Sequence, residues 1–224
     1  MNFIDIAILL VLAITILGGV YRGFVSTTLN IGATIAAFLI ALLCIPLVSG
    51  LIKGDESLFN MMLYYTEGSE YVAVTDVELT RTSIADISSE ELHTVLENAD
   101  MPLPMDACVL KNIAAEAFRD SGITTLGDYF NQTIVCVVIN ILSLLAVFFV
   151  VRLLFAVVIR GIEYGRGGFP VLVHADGVIG AGIGLIHGVL ILFVLFLLVP
   201  VALTVLPKLY EFLSESFFGE FFYQ

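Results

Sequence analysis

The sequence contains no tryptophan, only three cysteines and only nine lysine or arginine residues among 224. Cys44 and Cys136 lie in apolar runs and Cys108 stands alone in a polar stretch, so the cysteines form neither a disulfide framework nor a Cys/His metal motif. With so few basic residues, the chain offers no patch that could neutralise nucleic-acid phosphates. Nucleic acid is therefore excluded as a predicted partner.

Recognisable catalytic motifs are also missing. The sequence has no GxSxG, HExxH, P-loop or CxxC pattern, and these patterns place nucleophiles, metals, phosphates and redox thiols. We therefore predict a protein that is not an enzyme, with no catalytic residue, no cofactor and no metal site.

The chain is rich in long runs of apolar residues. Hydrophobic residues make up 59% of it, charged residues 13%, and the mean hydropathy is +1.05. Residues 3–52 form two apolar runs joined by a turn whose only charge is Arg22. Each run reaches the roughly 20 residues that a bilayer core requires, and in lipid a backbone must satisfy its own hydrogen bonds as a helix. The pattern predicts a membrane-spanning hairpin.

The whole chain is predicted to be an all-α polytopic membrane protein with four transmembrane helices in two hairpins. Residues 1–52 form the first hairpin, and residues 53–131 form an acidic, mainly helical extracytoplasmic loop. Residues 132–207 form the second hairpin, and residues 208–224 form an aromatic and acidic tail at the membrane interface. The last crossing could begin near Val178 or only at Gly188.

The acidic loop carries the net charge of the protein. Between Gly54 and Asn131 there are 15 acidic and 3 basic residues, so this segment has a formal charge of -12. That value equals the formal net charge of the whole chain. Ser88 and Glu91 have the spacing of a capping box that opens a helix. Leu92, Val95, Leu96 and Ala99 form a helical stripe on it, and a second amphipathic helix after Pro104 would have Leu110, Ala114, Ala117 and Phe118 on one face.

Basic residues in the short turns predict the orientation. Arg22 lies in the first turn, and Arg160 and Arg166 lie in the connector between the third and fourth crossings. Because lysine and arginine favour cytoplasmic loops, these turns are predicted to be cytoplasmic. Both termini and the acidic loop would then lie outside.

Five glycines are candidates for helix packing. Gly19 and Gly23 bracket the first turn, while Gly180, Gly184 and Gly188 fall on one face of the last apolar helix. Small residues let neighbouring backbones approach closely in a membrane. The partner could lie within the chain or in a second copy, which would make a homo-oligomer.

His187 is an ionisable residue within the last apolar run. Buried ionisable groups in membranes are functional candidates because they are costly to leave unpaired. One interpretation pairs a neutral His187 with Asn140 or Ser143 of the third crossing. The other places it among the lipid head groups, with the crossing starting at Gly188.

Three stretches resemble the colicin V production family. They are Asn2-Phe3-Ile4-Asp5-Ile6, the run GVYRGFV at residues 19–25, and DGVIGAGIGLIHG at residues 176–188. The resemblance covers roughly residues 1–52 and 130–206. It adds Asp5, Arg22 and Asp176 to the candidate functional polar residues, whereas His187 stands where the family often has lysine or arginine.

The resemblance implies a multi-pass protein of the inner or plasma membrane. Such proteins are needed for the production or secretion of a peptide toxin in some bacteria and are linked to envelope homeostasis. We therefore expect a non-enzymatic protein that acts in membrane lipid through other membrane or envelope proteins. The alternative is a small channel or transporter with the acidic loop as an external vestibule.

Overall fold

The computed structural model describes residues 2–165, 176–206 and 208–223, and these residues are almost entirely helical. The ten α-helices of these ranges are α1 (Phe3–Lys53), α2 (Glu56–Tyr64), α3 (Gly68–Ala73), α4 (Ser89–Ala99), α5 (Met105–Ala114), α6 (Leu126–Gly165), α7 (Asp176–Phe196), α8 (Val199–Val205), α9 (Leu209–Ser214) and α10 (Gly219–Tyr223). Short 3₁₀ turns cover Glu78–Arg81 and Arg119–Ser121. The predicted all-α class is confirmed for these ranges. Arg166, used above for orientation, lies outside the described residues.

Three stretches are long and apolar enough to cross a membrane. They are α1, α6 and the α7–α8 segment Asp176–Val205. Large apolar side chains on their outer surfaces stay exposed, among them Leu17, Leu43 and Leu153 at 67%, 82% and 66% of their possible area. Exposed apolar surface on this scale marks a contact with lipid or protein. These helices are those of a membrane protein.

The chain divides into two compact units, Met1–Ile45 with Leu142–Gln224 and Pro46–Ile141. The first unit contains most of the long apolar helices and the second most of the acidic segment. The predicted limits of the four domains stay predictions.

In the first unit, α1 is interrupted by one residue. Gly23 has φ 76° and ψ 179°, a combination that is essentially restricted to glycine. We call residues 3–22 arm 1 and residues 24–53 arm 2.

Arm 1 packs along α7 in the opposite direction. The main chain of Gly19 lies against Gly180, and the carbonyl oxygen of Thr15 lies against Gly184. Moving back along arm 1 therefore means moving forward along α7, so the two helices are antiparallel.

Arm 2 runs in the same direction as α7. The amide of Phe24 meets Asp176 at the start of α7, and Thr34 meets His187 eleven residues later. Because arm 1 is antiparallel to α7 and arm 2 is parallel to it, the chain reverses at Gly23. The two arms form a helical hairpin.

The carboxyl half of α6 completes the first unit. Asn30 contacts Arg152, and the ring of Phe38 lies 6.5 Å from that of Phe148. Advancing along arm 2 means going back along α6, so this pair is antiparallel.

The second unit has its own apolar core. Its buried members come from α3 to α6 and from the loops between them: Val72, Val95, Ala99, Met101, Met105, Val109, Leu126, Phe130, Ile134 and Val137. The capping box at the start of α4 is present, because the hydroxyl of Ser88 accepts from the amide of Glu91 and the carboxylate of Glu91 accepts from the amide of Ser88. These hydrogen bonds hold the pKa of Glu91 below its usual range.

The apolar face predicted for the helix after Pro104 is not the face that α5 buries. Leu110 is 45% exposed, whereas Met105 and Val109 are fully buried. Both sets fit a helical stripe, since residues four apart share a face. Contacts with the rest of the core select Met105 and Val109.

Candidate functional site

Four polar side chains from three helices meet in the first unit. We call them the polar cluster: Asn30 and Thr34 of arm 2, Arg152 of α6 and His187 of α7. Asn30, Thr34 and His187 are at most 9% exposed, and Arg152 is partly buried. Polar groups buried between apolar helices need hydrogen-bond partners, and in this cluster they find them in one another.

Arg152 donates to both residues of arm 2. Its Nη2 lies 2.8 Å from Oδ1 of Asn30, and its Nε lies 3.1 Å from Oγ1 of Thr34. Both acceptors are neutral, so these bonds hold the guanidinium without cancelling its charge. The described residues supply no ion-pair partner for Arg152.

The hydroxyl of Thr34 lies at the centre of the cluster. It is 2.9 Å from the carbonyl oxygen of Asn30, 3.1 Å from Nε of Arg152 and 3.0 Å from Nε2 of His187. A hydroxyl donates once and accepts twice, and an arginine can only donate. The hydroxyl proton therefore goes either to Asn30, with His187 donating from Nε2, or to His187, whose ring proton is then on Nδ1. One hydroxyl rotation is coupled to the tautomer of His187.

The predicted hydrogen bond between His187 and α6 is wrong. His187 binds Thr34 of arm 2 instead, and its position twelve residues into α7 places it well inside the helix. Oδ1 of Asn140 accepts from Nζ of Lys53 at 3.1 Å. The hydroxyl of Ser143 is buried and has no partner among the described residues.

Arg152 was the main residue that sequence reasoning missed. The apolar pattern predicts a third crossing over about residues 133–151, with a helix that could run on to Arg160, so Arg152 stands only at the edge of that crossing. In the structure α6 continues to Gly165, so Arg152 is embedded in a helix. The available signal was the apolar run LLFAVVI that follows it directly.

Asp176 and Gly23 form a joint at the reversal of α1. The Oδ1 atom of Asp176 accepts from the amide of Phe24 at 2.6 Å, and its other oxygen occupies the space where a side chain at residue 23 would lie. The break at Gly23 frees that amide from the helix, and the carboxylate satisfies it. Arg22 is exposed beside this joint.

The glycine face of α7 lies against arm 1. A Cβ atom on Gly184 would be 2.5 Å from the carbonyl oxygen of Thr15, and one on Gly180 would overlap the carbonyl oxygen of Gly19. A Cβ atom on Gly188 would overlap the Thr15 hydroxyl. These distances leave no room for a side chain, so the two backbones are in direct contact.

Asp5 ties the start of α1 to the carboxyl-terminal segment. It is fully buried, and its Oδ1 accepts from the hydroxyl of Ser216 at 2.7 Å and from the amide of Phe218 at 3.0 Å. Nearby, the ring of Phe222 lies 5.1 Å from that of Phe193 at the end of α7. The aromatic tail therefore packs on the helices of this unit.

Across residues 2–165, 176–206 and 208–223, no three histidine, cysteine, aspartate or glutamate side chains are grouped so as to hold a metal ion. The polar cluster can fix the register of three helices and keep a positive charge between them.

The sequence was compared with known protein families, and a match was found. The model described as colicin V production protein matches residues 4–75, which include both arms of α1. Comparison with the curated proteins and with the solved structures gives no match. Colicin V production proteins are not a known enzyme family. The match includes the motifs around Asp5, Arg22 and Gly23 and supports the resemblance of this part of the chain to that family. The long apolar helices are those of a membrane protein.

Proposed function

We propose that this protein is a non-enzymatic, four-crossing membrane protein that supports the production or secretion of a colicin V type peptide toxin and envelope homeostasis through partner proteins. The observation that carries the proposal is the family match at residues 4–75. The polar cluster supports it as well, because its hydrogen bonds hold three helices together.

Four crossings are supported by the hairpin of α1. Arm 1 and arm 2 run in opposite directions along α7, and arm 1 has the roughly 20 residues that one crossing needs. Asp5 also contacts Ser216 and Phe218, which supports placing these residues on the same side of the membrane. That placement favours an even number of crossings between them over three single crossings.

For orientation we propose that the end of the first unit with Arg22 and Arg160 faces the cytoplasm, following the arginine rule. The acidic segment and both termini would then be extracytoplasmic. After replacement of the native cysteines, a cysteine at the exposed Glu97 should react with an impermeant maleimide in intact inner-membrane vesicles or spheroplasts that expose the outer face. A cysteine at Tyr164 should react only after permeabilisation, and the opposite pattern would invert the orientation.

The function is tested in a colicin V producing bacterium that lacks its own colicin V production protein. Expression of this chain should restore toxin in the medium, and Thr28→Val should do so equally well because Thr28 is exposed and bonds only to its own helix. Thr34→Val should restore less, since it removes the central hydroxyl of the polar cluster. Accumulation of the chain without secreted toxin would contradict the proposal.

Partner proteins would be detected by crosslinking the full-length chain in membranes and identifying what copurifies. Membrane lipid and envelope proteins are the partners that the proposal names. Homo-oligomerisation through glycine faces stays a prediction, and the described contacts of Gly180, Gly184 and Gly188 are with arm 1 of the same chain.

A channel or transporter is the competing proposal. It is favoured by the charge of the acidic segment, which would concentrate cations at an external entrance. Ion flux through liposomes containing the purified protein separates the two proposals. An accessory protein gives no flux above protein-free liposomes, whereas a channel gives flux that falls when the acidic side chains are neutralised.

A further inference from the structure

The arginine-bearing end of the first unit contains a cavity of about 390 Å³. We call it the basic cavity. Its polar lining consists of Arg22, Asn30, Arg152, Arg160 and Glu163. Two of these residues, Asn30 and Arg152, also belong to the polar cluster, so the cavity opens directly onto that cluster.

The lining of the basic cavity has an excess of positive charge. Three guanidinium groups that never lose their proton face one carboxylate. The carboxylate of Glu163 already accepts a hydrogen bond from the hydroxyl of Ser26. Within the part of the chain that the structure describes, no carboxylate forms an ion pair with any of the three arginines. Three positive charges that line one cavity repel one another unless an anion joins them.

One donor in this wall also lacks an acceptor. Nη1 of Arg152 is buried and has no hydrogen-bond partner among the described residues, although Nε and Nη2 of the same side chain are both bonded. A buried donor left unpaired is costly, so an acceptor from outside the chain would be favourable at this position. The unused donor and the surplus charge point to the same kind of ligand, an anion with several oxygen atoms.

A phosphate group suits this wall. Guanidinium groups form forked hydrogen bonds with phosphate oxygens, and three of them can share one tetrahedral group. The apolar part of the lining includes Phe149 and Leu153, which are 52% and 66% exposed on the outside of α6. Such a surface can contact acyl chains, and basic pockets between membrane helices bind anionic lipid head groups.

We propose that the basic cavity binds the phosphate group of an anionic phospholipid, with the acyl chains against Phe149 and Leu153. The proposal does not depend on a role in toxin export. A free phosphate ion shares the same chemistry, but it would make no use of the apolar side chains beside the cavity.

The test uses the full-length protein in a neutral detergent. Phosphatidylglycerol, phosphatidylcholine or inorganic phosphate is added, and the midpoint of heat unfolding is recorded against concentration, with bound lipid counted by native mass spectrometry. Arg22→Gln and Arg160→Gln remove charges from exposed positions. Arg152 is left intact because it holds the polar cluster. Arg81→Gln, an equal change on the exposed surface of the second unit, is the matched control.

Phosphatidylglycerol should raise the midpoint of the parent protein and of Arg81→Gln at the same lipid concentration. Arg22→Gln and Arg160→Gln should need at least ten times more lipid for the same shift, which corresponds to about 1.4 kcal/mol of binding free energy. Equal responses of the cavity variants and the control would overturn the proposal. The proposal would also be overturned if phosphatidylcholine raised the midpoint as much as phosphatidylglycerol does, or if inorganic phosphate alone gave the full shift. A midpoint that no additive raises would overturn it as well and would indicate that water fills the cavity.

Discussion

Replacement of Gly184 by alanine tests the packing of α7 on arm 1. An ideal Cβ atom at this position would lie 2.5 Å from the carbonyl oxygen of Thr15 and 3.2 Å from Cα of Ile16. Favourable carbon–oxygen contacts are about 3.3–3.6 Å, so the two helices must separate by roughly 1 Å. The obstructing atoms belong to the backbone, and no side-chain rotation can move them away.

The size of the effect follows from two opposing contributions. Overpacking of a closely packed site typically costs about 1–3 kcal/mol, whereas exchange of glycine for alanine inside a helix gains up to about 1 kcal/mol. Gly182 lies on the same helix but is exposed, and nothing lies within 4 Å of its Cβ position. Gly182→Ala shares the gain without the clash. The difference between the two variants is therefore the packing cost, about 1–3 kcal/mol.

Each variant is purified in the same detergent, and its unfolding is followed by circular dichroism during titration with a denaturing detergent. Gly184→Ala should unfold at a clearly lower denaturant fraction than Gly182→Ala. If the two variants unfold together, α7 does not rest on arm 1 through this glycine, and the antiparallel arrangement deduced from it is refuted.

Three further substitutions test other parts of the structure. Thr34→Val should reduce the free energy of unfolding by about 1–3 kcal/mol, since it leaves Nε of Arg152 and Nε2 of His187 without their partner, while Thr28→Val should have little effect in the same titration. Gly23→Ala should lower the free energy of unfolding by at least about 1–2 kcal/mol, because Gly23 has a positive φ. Gly18→Ala should leave it unchanged or raise it, because no atom lies within 4 Å of the Cβ position of Gly18. The capping hydrogen bonds lower the pKa of Glu91. Their contribution to stability is therefore complete above the ordinary glutamate pKa and is lost as the pH falls through the lowered pKa. In an acid titration that follows amide exchange in α4, Glu91→Gln should not show this loss of stability, and a response equal to that of the parent would refute the role of the capping box.

The sequence predicted those features that depend on local pattern. The apolar runs located the long helices, and the spacing of Ser88 and Glu91 located the start of α4, because both signals involve neighbouring residues only. Glycines on a single face of α7 could be recognised in the same way. The sequence pattern does not show which helix these glycines contact, because that depends on how the helices pack in the folded unit.

Residue choices that depend on tertiary contacts were harder to predict. The sequence places His187 in an apolar run, and only the packing of arm 2 against α7 selects Thr34 over Ser143 as its partner. Likewise, Leu110 and Val109 both fit helical stripes, and the core of the second unit buries only Val109. Periodicity gives the candidate faces of a helix, and neighbouring elements decide between them.

The contact of Asp5 with Ser216 and Phe218 has a consequence for biosynthesis. Its two donors are made more than 200 residues after the acceptor, so arm 1 enters the membrane long before this carboxylate can receive them. The contact can close only after α7 has been inserted and the segment that follows it has returned to the start of α1. A chain truncated before Ser216 would keep the three long apolar helices of the described residues yet lack both donors, so the Asp5 contact forms only once the segment after α8 has been made.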